Sequence, residues 1–319
     1  MVRVENLRAI KTNGDKKAVE VEYLGCLLWY TVSNVLKIPI EQLEQELKTA
    51  GLEKFMPRKI NPRDAFRRVT KAMEVHKEQY GQDTYMNLLV RDVRVGEGEV
   101  VRQLVREVVD GKNTRLEYKP VLQLSIGDGS RLAITPLVDY LTPTEQRVVE
   151  NLPKQQEEAC QYFDGVHVRY MLWKMLQECN TISVRPNGGV DFIQQTYVPT
   201  VEKIKELSKN LNKYEGNVRI WSIPVIDAAE HREMIQESLE EQVIGSSNAL
   251  IREMKTIEEN PSKNLSIKTI QSYADRVRKL KELVKEYEES LEFQAINAQE
   301  NLKLAMQLTV KLMEESAEV

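Results

Sequence analysis

The chain has 319 residues, of which 29% are charged and 41% hydrophobic, and its net charge at neutral pH is −4. This composition excludes a disordered chain and predicts a soluble globular protein of two domains, or of one domain with an appendage. No run of 18 apolar residues is present, which excludes a membrane-spanning helix, and the negative charge excludes attachment to nucleic acid by bulk charge but not by a local basic patch.

The first half of the chain predicts strands and two helices. Residues 18–23 alternate apolar and charged side chains, as a half-buried strand does, and an apolar run follows at 27–32. Proline and glycine signals place one helix at 39–50. Asn61 is a suitable cap for a second helix, which we expect to extend over 62–80.

The segment 84–134 is typical of an antiparallel β meander. Turn signals containing glycine occur at 96–98, at Asp110-Gly111 and at 127–129. We therefore expect four strands, at about 84–95, 99–109, 114–125 and 130–134.

The next segment predicts short helices, a hairpin, a helix and a strand. Thr142-Pro143-Thr144-Glu145 is a capping box, and the third helix from it is expected at 166–178. A hairpin follows at 182–193, then a helix at 200–211 and a strand at 218–226.

This order of helices and hairpin is also the layout of a winged-helix domain. In that interpretation 166–178 is the recognition helix, with Arg169, Lys174 and Gln177 facing bases, and 185–189 is the tip of the wing. The alternative is a hairpin packed within an α+β core.

The last quarter of the chain, from Asp227 onward, predicts a long helical hairpin, and Gly245-Ser246-Ser247 is expected to weaken the middle of its first helix. Seven residues of its second helix repeat at spacings of three and four, which keeps them on one seam: Ile270, Tyr273, Val277, Leu280, Val284, Tyr287 and Leu291. The apolar pattern then changes phase at Ala295, which we interpret as a stutter. The seam either packs on the chain's own body or binds a second copy or a partner protein.

The predicted fold class is α+β. An antiparallel β meander with packed helices precedes a long C-terminal antiparallel helical hairpin that resembles a coiled coil. The expected segments are 1–140 for the N-terminal α+β region, 141–226 for the helical block with its hairpin, and 227–319 for the arm.

Basic residues cluster around the helix that begins at Asn61. The candidates for binding nucleic acid or a partner are Arg58, Lys59, Arg63, Arg67, Arg68 and Lys71, together with Arg185 and Asn187 of the hairpin turn. Arg63, Arg67 and Lys71 share one helix face and could neutralise phosphates, or they could form ion pairs within the chain.

Evidence for catalysis is weak. Asp110 followed by Glu117 and Lys119 on the next strand is a nuclease-like spacing, but the Asp-Gly turn explains Asp110 equally well. The P-loop, dinucleotide-binding and nucleophile-elbow motifs are absent. Three scattered histidines and three widely spaced cysteines, an odd number, argue against a zinc site and favour buried thiols in a reducing cytosol. We predict no catalytic residue, metal or cofactor.

Three tryptophans, Trp29, Trp173 and Trp221, have apolar neighbours in sequence and are expected in the core. The N-terminal residues include no apolar segment of a secretory signal, so we expect a cytoplasmic protein.

Two stretches, MPRKINPRDAFRRVTKAME (Met56–Glu74) and HVRYMLWKMLQECNTISVRPNGGVDFI (His167–Ile193), resemble a family of roughly 300-residue proteins of phages, plasmids and other mobile elements. That family has no assigned activity, so the resemblance implies only a prokaryotic or viral cytoplasm. We expect a non-catalytic protein that self-associates or binds a partner protein through its arm. A nucleic-acid-binding accessory protein using the basic helix and the hairpin is the alternative, and a metal-dependent nuclease is a third.

Overall fold

A computed structural model describes residues 22–95, 98–127, 131–185, 188–258 and 267–317. Contacts divide the chain into two compact units. The meander unit comprises Asn34–Arg169 and Tyr214–Gly216, and the helical unit comprises Met1–Ser33, Tyr170–Lys213 and Asn217–Val319. The division falls within one helix, α5 (Gly165–Gln177). The three segments expected from the sequence stay a prediction.

A five-stranded antiparallel meander dominates the meander unit. Its strands, in spatial and chain order, are β3 (Val75–Gln79), β4 (Thr84–Val95), β5 (Val100–Asp110), β6 (Arg115–Ile126) and β7 (Leu132–Pro136). Two further short strands, β2 (Lys37–Pro39) and β8 (Tyr162–Asp164), pair with each other. The predicted meander is confirmed, with one additional strand at its start.

Four helices belong to the meander unit: α1 (Ile40–Ala50), α2 (Pro62–Ala72), α3 (Pro143–Glu150) and α4 (Leu152–Gln161). The core of this unit lies against one face of the meander. Residues that pack there include Phe66 of α2, Met73 directly after α2, and Leu152 of α4. The side chain of Asn61 caps α2, and the capping box of Thr142 and Glu145 is formed.

The helical unit contains a four-stranded antiparallel sheet in the order β11-β1-β10-β9. Its strands are β1 (Tyr23–Val32), β9 (Ile182–Ser183), β10 (Asp191–Gln194) and β11 (Val218–Ile226). The predicted hairpin is β9 and β10, and β10 pairs with β1, so the hairpin forms one side of this sheet. Helix α6 (Val198–Leu211) packs beside β11.

The C-terminal region consists of three helices: α7 (Ala229–Glu258), α8 (Ile267–Leu291) and α9 (Ile296–Ala317). One core cluster joins the start of α7, the end of α8 and the start of α9, and a second joins their opposite ends. The chain direction therefore alternates along the three helices, and α8 is antiparallel to both neighbours.

Three expectations about helices need correction. The helix after Asn61 ends at Ala72 rather than Tyr80, because Val75–Gln79 pairs with β4. The arm has three helices instead of two, since the change of phase at Ala295 is a helix break in which Glu292 adopts a left-handed backbone. Gly245 and its serine neighbours do not interrupt α7.

Five predicted features lie outside the described residues: the strand residues 18–21, parts of the turns at 96–98 and 127–129, the hairpin tip at 186–187, and the helix stop at 259–262.

Candidate interaction surfaces

The predicted seam of the arm is buried within the helical unit. Ile270, Tyr273, Val277, Val284, Tyr287 and Leu291 are all at most 8% exposed, and Leu280 is partly buried against the same clusters. Their neighbours are apolar residues of α7, α9 and the four-stranded sheet. The seam therefore forms a core with the chain's own helices, which leaves no apolar seam surface for another molecule.

Tyr287 connects α8 to the sheet. Its side chain is fully buried, and its hydroxyl donates a hydrogen bond of 2.8 Å to the carbonyl oxygen of Asn180. The ring meets Phe192 of β10 edge-on at a centroid distance of 6.2 Å. Burial raises the pKa of Tyr287, so the phenol stays protonated and remains a donor.

Helix α9 carries a second apolar stripe on its outer surface. Its inner residues, Ala298, Leu302, Ala305 and Leu312, are buried. Met306, Val310 and Met313 repeat at spacings of four and three, yet they are 39%, 52% and 39% exposed. This outer stripe, defined as these three residues, is a row of apolar side chains that α9 presents to solvent.

The predicted basic residues of α2 fall into two groups. Arg67 forms an ion pair with Asp64 at 2.8 Å, Arg68 pairs with Asp164, and Lys71 pairs with Glu74. Arg67, Arg68 and Lys71 thus have carboxylate partners in the meander unit.

The other three cations lie at or before the first turn of α2. Arg58 and Lys59 are exposed, and Arg63 is half-buried. In the hairpin, Arg185 is exposed, while Asn187 lies outside the described residues.

Asp164 organises a polar group at the start of α5. Its Oδ1 accepts hydrogen bonds from the backbone N–H groups of Val166 and His167 and lies 2.8 Å from Nδ1 of His167, and its other oxygen pairs with Arg68. Burial alone would raise the pKa of Asp164, but the hydrogen bonds from His167 and the charge of Arg68 outweigh burial and hold it at about 2. This carboxylate is a helix cap that holds Arg68 in place.

A cleft of about 260 Å³ lies beside this group, lined by Arg68, Asp164, Lys37 and Glu158 among others. Lys37 and Glu158 form an ion pair of 2.9 Å. Each cation of the cleft is therefore matched by a carboxylate, and the cleft offers no excess charge to a small charged ligand.

The expectation that the tryptophans are core residues is wrong for two of them, and the third, Trp29, is only half-buried. Trp173 is 48% exposed and Trp221 is 38% exposed. Trp29 and Trp221 stack across neighbouring strands with a centroid distance of 6.2 Å, and Trp173 stacks on Tyr170 at 5.6 Å. Trp221 lies on β11, an edge strand that has a neighbour in the sheet on one side only, and Trp173 lies on the exposed side of α5.

The nuclease-like residues do not form a shared carboxylate site. Oδ1 of Asp110 accepts hydrogen bonds from the backbone N–H groups of Lys112 and Thr114, the geometry of a turn residue. These hydrogen bonds lower the pKa of Asp110. Glu117 lies 3.9 Å from Arg106. Across the described residues, no group of three or more His, Cys, Asp or Glu side chains is placed to hold a metal ion.

The fold and these surfaces define an α+β protein with an antiparallel meander, a second antiparallel sheet and a three-helix arm. The chain belongs to DUF6744, a family of unknown function, whose model matches residues 23–318. Neither the curated proteins nor the solved structures include a match to this chain. In the part of the chain that the structure describes, no helix is long and apolar enough to cross a membrane.

Proposed function

We propose that this chain is a non-catalytic protein that self-associates through the outer stripe of α9, Met306, Val310 and Met313. The observation that supports this proposal is the regular spacing of three exposed apolar residues on a helix whose inner face is already buried. The buried seam of α8 anchors the arm to the sheet, and the outer stripe of α9 makes the contact.

The charges beside the stripe favour a second copy as the occupant. Lys303 and Glu314 are exposed and lie on the same flank of the stripe, one before and one after Val310 along α9. In an antiparallel pair of α9 helices related by a two-fold axis near Val310, like flanks face each other. Lys303 of each copy then lies near Glu314 of the other, which makes the surface complementary to itself.

The contact area predicts a weak dimer. Stable interfaces bury roughly 1,600 Å² in total, more than three side chains of one helix supply. We therefore expect a concentration-dependent equilibrium between monomer and dimer.

The test is the mass measured by light scattering or sedimentation over a wide range of concentrations. Met306→Glu combined with Val310→Glu should keep the protein monomeric at concentrations where the parent dimerises. Leu304→Glu is a matched control, because Leu304 is 44% exposed on the same helix but points away from the stripe. If the parent is monomeric throughout, or if both variants shift the equilibrium equally, the outer stripe is not the contact.

Removing 227–319 is a poor test of the same idea. The arm supplies buried residues such as Leu239 and Tyr287 to the core around the sheet, so its loss would unfold the helical unit. Surface substitutions avoid this difficulty.

The cellular setting is part of the proposal. The resemblance of Met56–Glu74 and His167–Ile193 to proteins of phages and plasmids supports a mobile-element protein that acts in a prokaryotic cytoplasm.

A further inference from the structure

The meander has a second face that lies opposite its core. Residues alternate between the two faces of a strand, and the register of β4, β5 and β6 brings one set together on this outer face. Six of its residues matter here: Arg91, Arg94, Gln103, Arg115, Tyr118 and Gln123. The apolar side chains of α2 and α4 pack on the opposite face.

The charge of the outer face is positive although the chain is acidic overall. Arg91, Arg94 and Arg115 are exposed. The carboxylate of Glu107 lies among them, accepting hydrogen bonds of 2.8 Å from Arg115 and 3.0 Å from Asn87. Arg91 also lies 4.0 Å from Glu74 at the edge of the sheet. Glu107 offsets one of the three cations, so these residues keep a net positive charge on a chain of net charge −4.

An exposed aromatic ring lies within this positive surface. Tyr118 is 43% exposed, and the guanidinium of Arg115 lies 4.6 Å from the centre of its ring. Nε of Arg91 is 3.4 Å from the Tyr118 hydroxyl, a contact that reaches across β5 from β4 to β6. The arginines thus hold the exposed ring in place on the outer face of the sheet.

Two side-chain amides lie on the same face, in line with Arg91, which is directly opposite Gln103. Gln103 and Gln123 are directly opposite each other on β5 and β6 and are half-buried. Within the described ranges, no side chain or backbone group of the chain hydrogen-bonds to the side-chain amide of either glutamine. Each amide can both donate and accept, as the edge of a nucleic-acid base requires.

From this combination we infer that the outer face of the meander binds single-stranded nucleic acid. Spaced cations match a phosphate backbone, an exposed ring held by arginines offers a stacking platform, and amides reach base edges. A duplex keeps its bases stacked inside the helix, where a ring on the surface of a sheet does not stack on them. An acidic peptide would contact the cations but does not require a stacking ring. This site differs from the basic cluster of α2 and from the outer stripe of α9.

The experiment measures fluorescence anisotropy of labelled oligo(dT) and oligo(rU) of roughly 16 nucleotides, against a duplex of equal length, at several salt concentrations. We expect the single strands to bind more tightly than the duplex, and the two single-stranded arms distinguish DNA from RNA. Tyr118→Leu should weaken binding by about tenfold or more and leave the salt dependence unchanged, because it removes stacking but no charge.

The charge is tested by a matched pair of double variants. Arg91→Gln with Arg94→Gln should weaken binding and reduce the slope of log affinity against log salt by about 1.4, since each lost phosphate contact contributes about 0.7. Arg58→Gln with Lys59→Gln removes the same charge from exposed positions before α2 and should leave both quantities unchanged. The urea midpoint of each variant checks that it folds.

Three results would overturn the inference. One is the absence of binding to single strands at low salt. Another is that the Arg58/Lys59 variant loses as much binding as the Arg91/Arg94 variant, which would place the site at the basic cluster of α2. The third is that poly-glutamate displaces the labelled oligonucleotide as well as an unlabelled single strand does. That result would assign the face to an acidic protein segment.

Discussion

The attachment of the arm to the sheet can be tested at Tyr287. This side chain is fully buried, donates a hydrogen bond of 2.8 Å to the Asn180 carbonyl and meets Phe192 edge-on. Tyr287→Phe keeps the ring but leaves the carbonyl without its donor, so it should lower the free energy of unfolding by about 1–2 kcal/mol. Tyr287→Ala also creates a cavity and should cost about 4 kcal/mol or more.

Urea denaturation followed by far-ultraviolet circular dichroism measures both losses. Ile267 is the control in the same helix: it is 67% exposed, so Ile267→Ala should change the free energy of unfolding by no more than about 0.5 kcal/mol. If both substitutions at Tyr287 leave stability within that range, α8 does not pack on the sheet, and the interpretation of the seam as a core is refuted.

Three further substitutions test other parts of the fold by urea denaturation. Burial raises the pKa of Asp191 from 3.8 to about 6, so the stability linked to its protonated form is present below about pH 4 and lost as the pH rises through 6. Asp191→Asn should therefore remove the decrease in the free energy of unfolding between pH 4 and 6. It should add about 1–2 kcal/mol at pH 7, an increment reduced by partial solvent screening. A pH dependence equal to the parent's would contradict this. Gly25→Ala should cost about 3 kcal/mol or more, because a Cβ at Gly25 would lie 1.9 Å from the carbonyl oxygen of Ile193; a stability equal to the parent's would disprove the close approach. Arg106→Met leaves the buried carboxylate of Glu145 without its partner, two hydrogen bonds of 2.7 Å, and should cost about 3–5 kcal/mol, whereas a loss below about 1 kcal/mol would show that water reaches Glu145.

Local signals in the sequence were sufficient to place the helices and strands whose ends are fixed by residues close by in the chain. Asn61 caps α2 through its own side chain, and Thr142 and Glu145 cap α3 reciprocally. The glycine-containing turns likewise separate the strands of the meander where they were expected. These features were predictable because the stabilising partners lie within about four residues in the chain.

The break between α8 and α9 was not predictable in this way. The backbone N–H of Ala295, directly before α9, donates to Glu288 of the preceding helix at 2.7 Å. The carbonyl of Leu291, at the end of α8, accepts from Arg232 of α7. Both caps come from residues seven or more positions away, and the segment contains neither glycine nor proline. Only the change of phase in the apolar pattern marked the position.

The short strand β3 was missed for a similar reason. Val75–Gln79 has no alternation of apolar and polar residues, and its pairing with β4 decides its conformation. The outer face of the meander was also not visible in the sequence. Arg91, Gln103 and Tyr118 are far apart in the chain, and the register of three strands brings them together.

Disulfide trapping tests the proposed contact between two α9 helices most directly. Near the two-fold axis, Val310→Cys places two thiols opposite each other, whereas Leu304→Cys points away from the axis. Both variants also carry Cys160→Ala, because Cys160 is the one described cysteine that is not buried. On mild oxidation we expect Val310→Cys to form a covalent dimer much faster than Leu304→Cys. Equal rates, or a dimer from Leu304→Cys alone, would contradict self-association through the outer stripe.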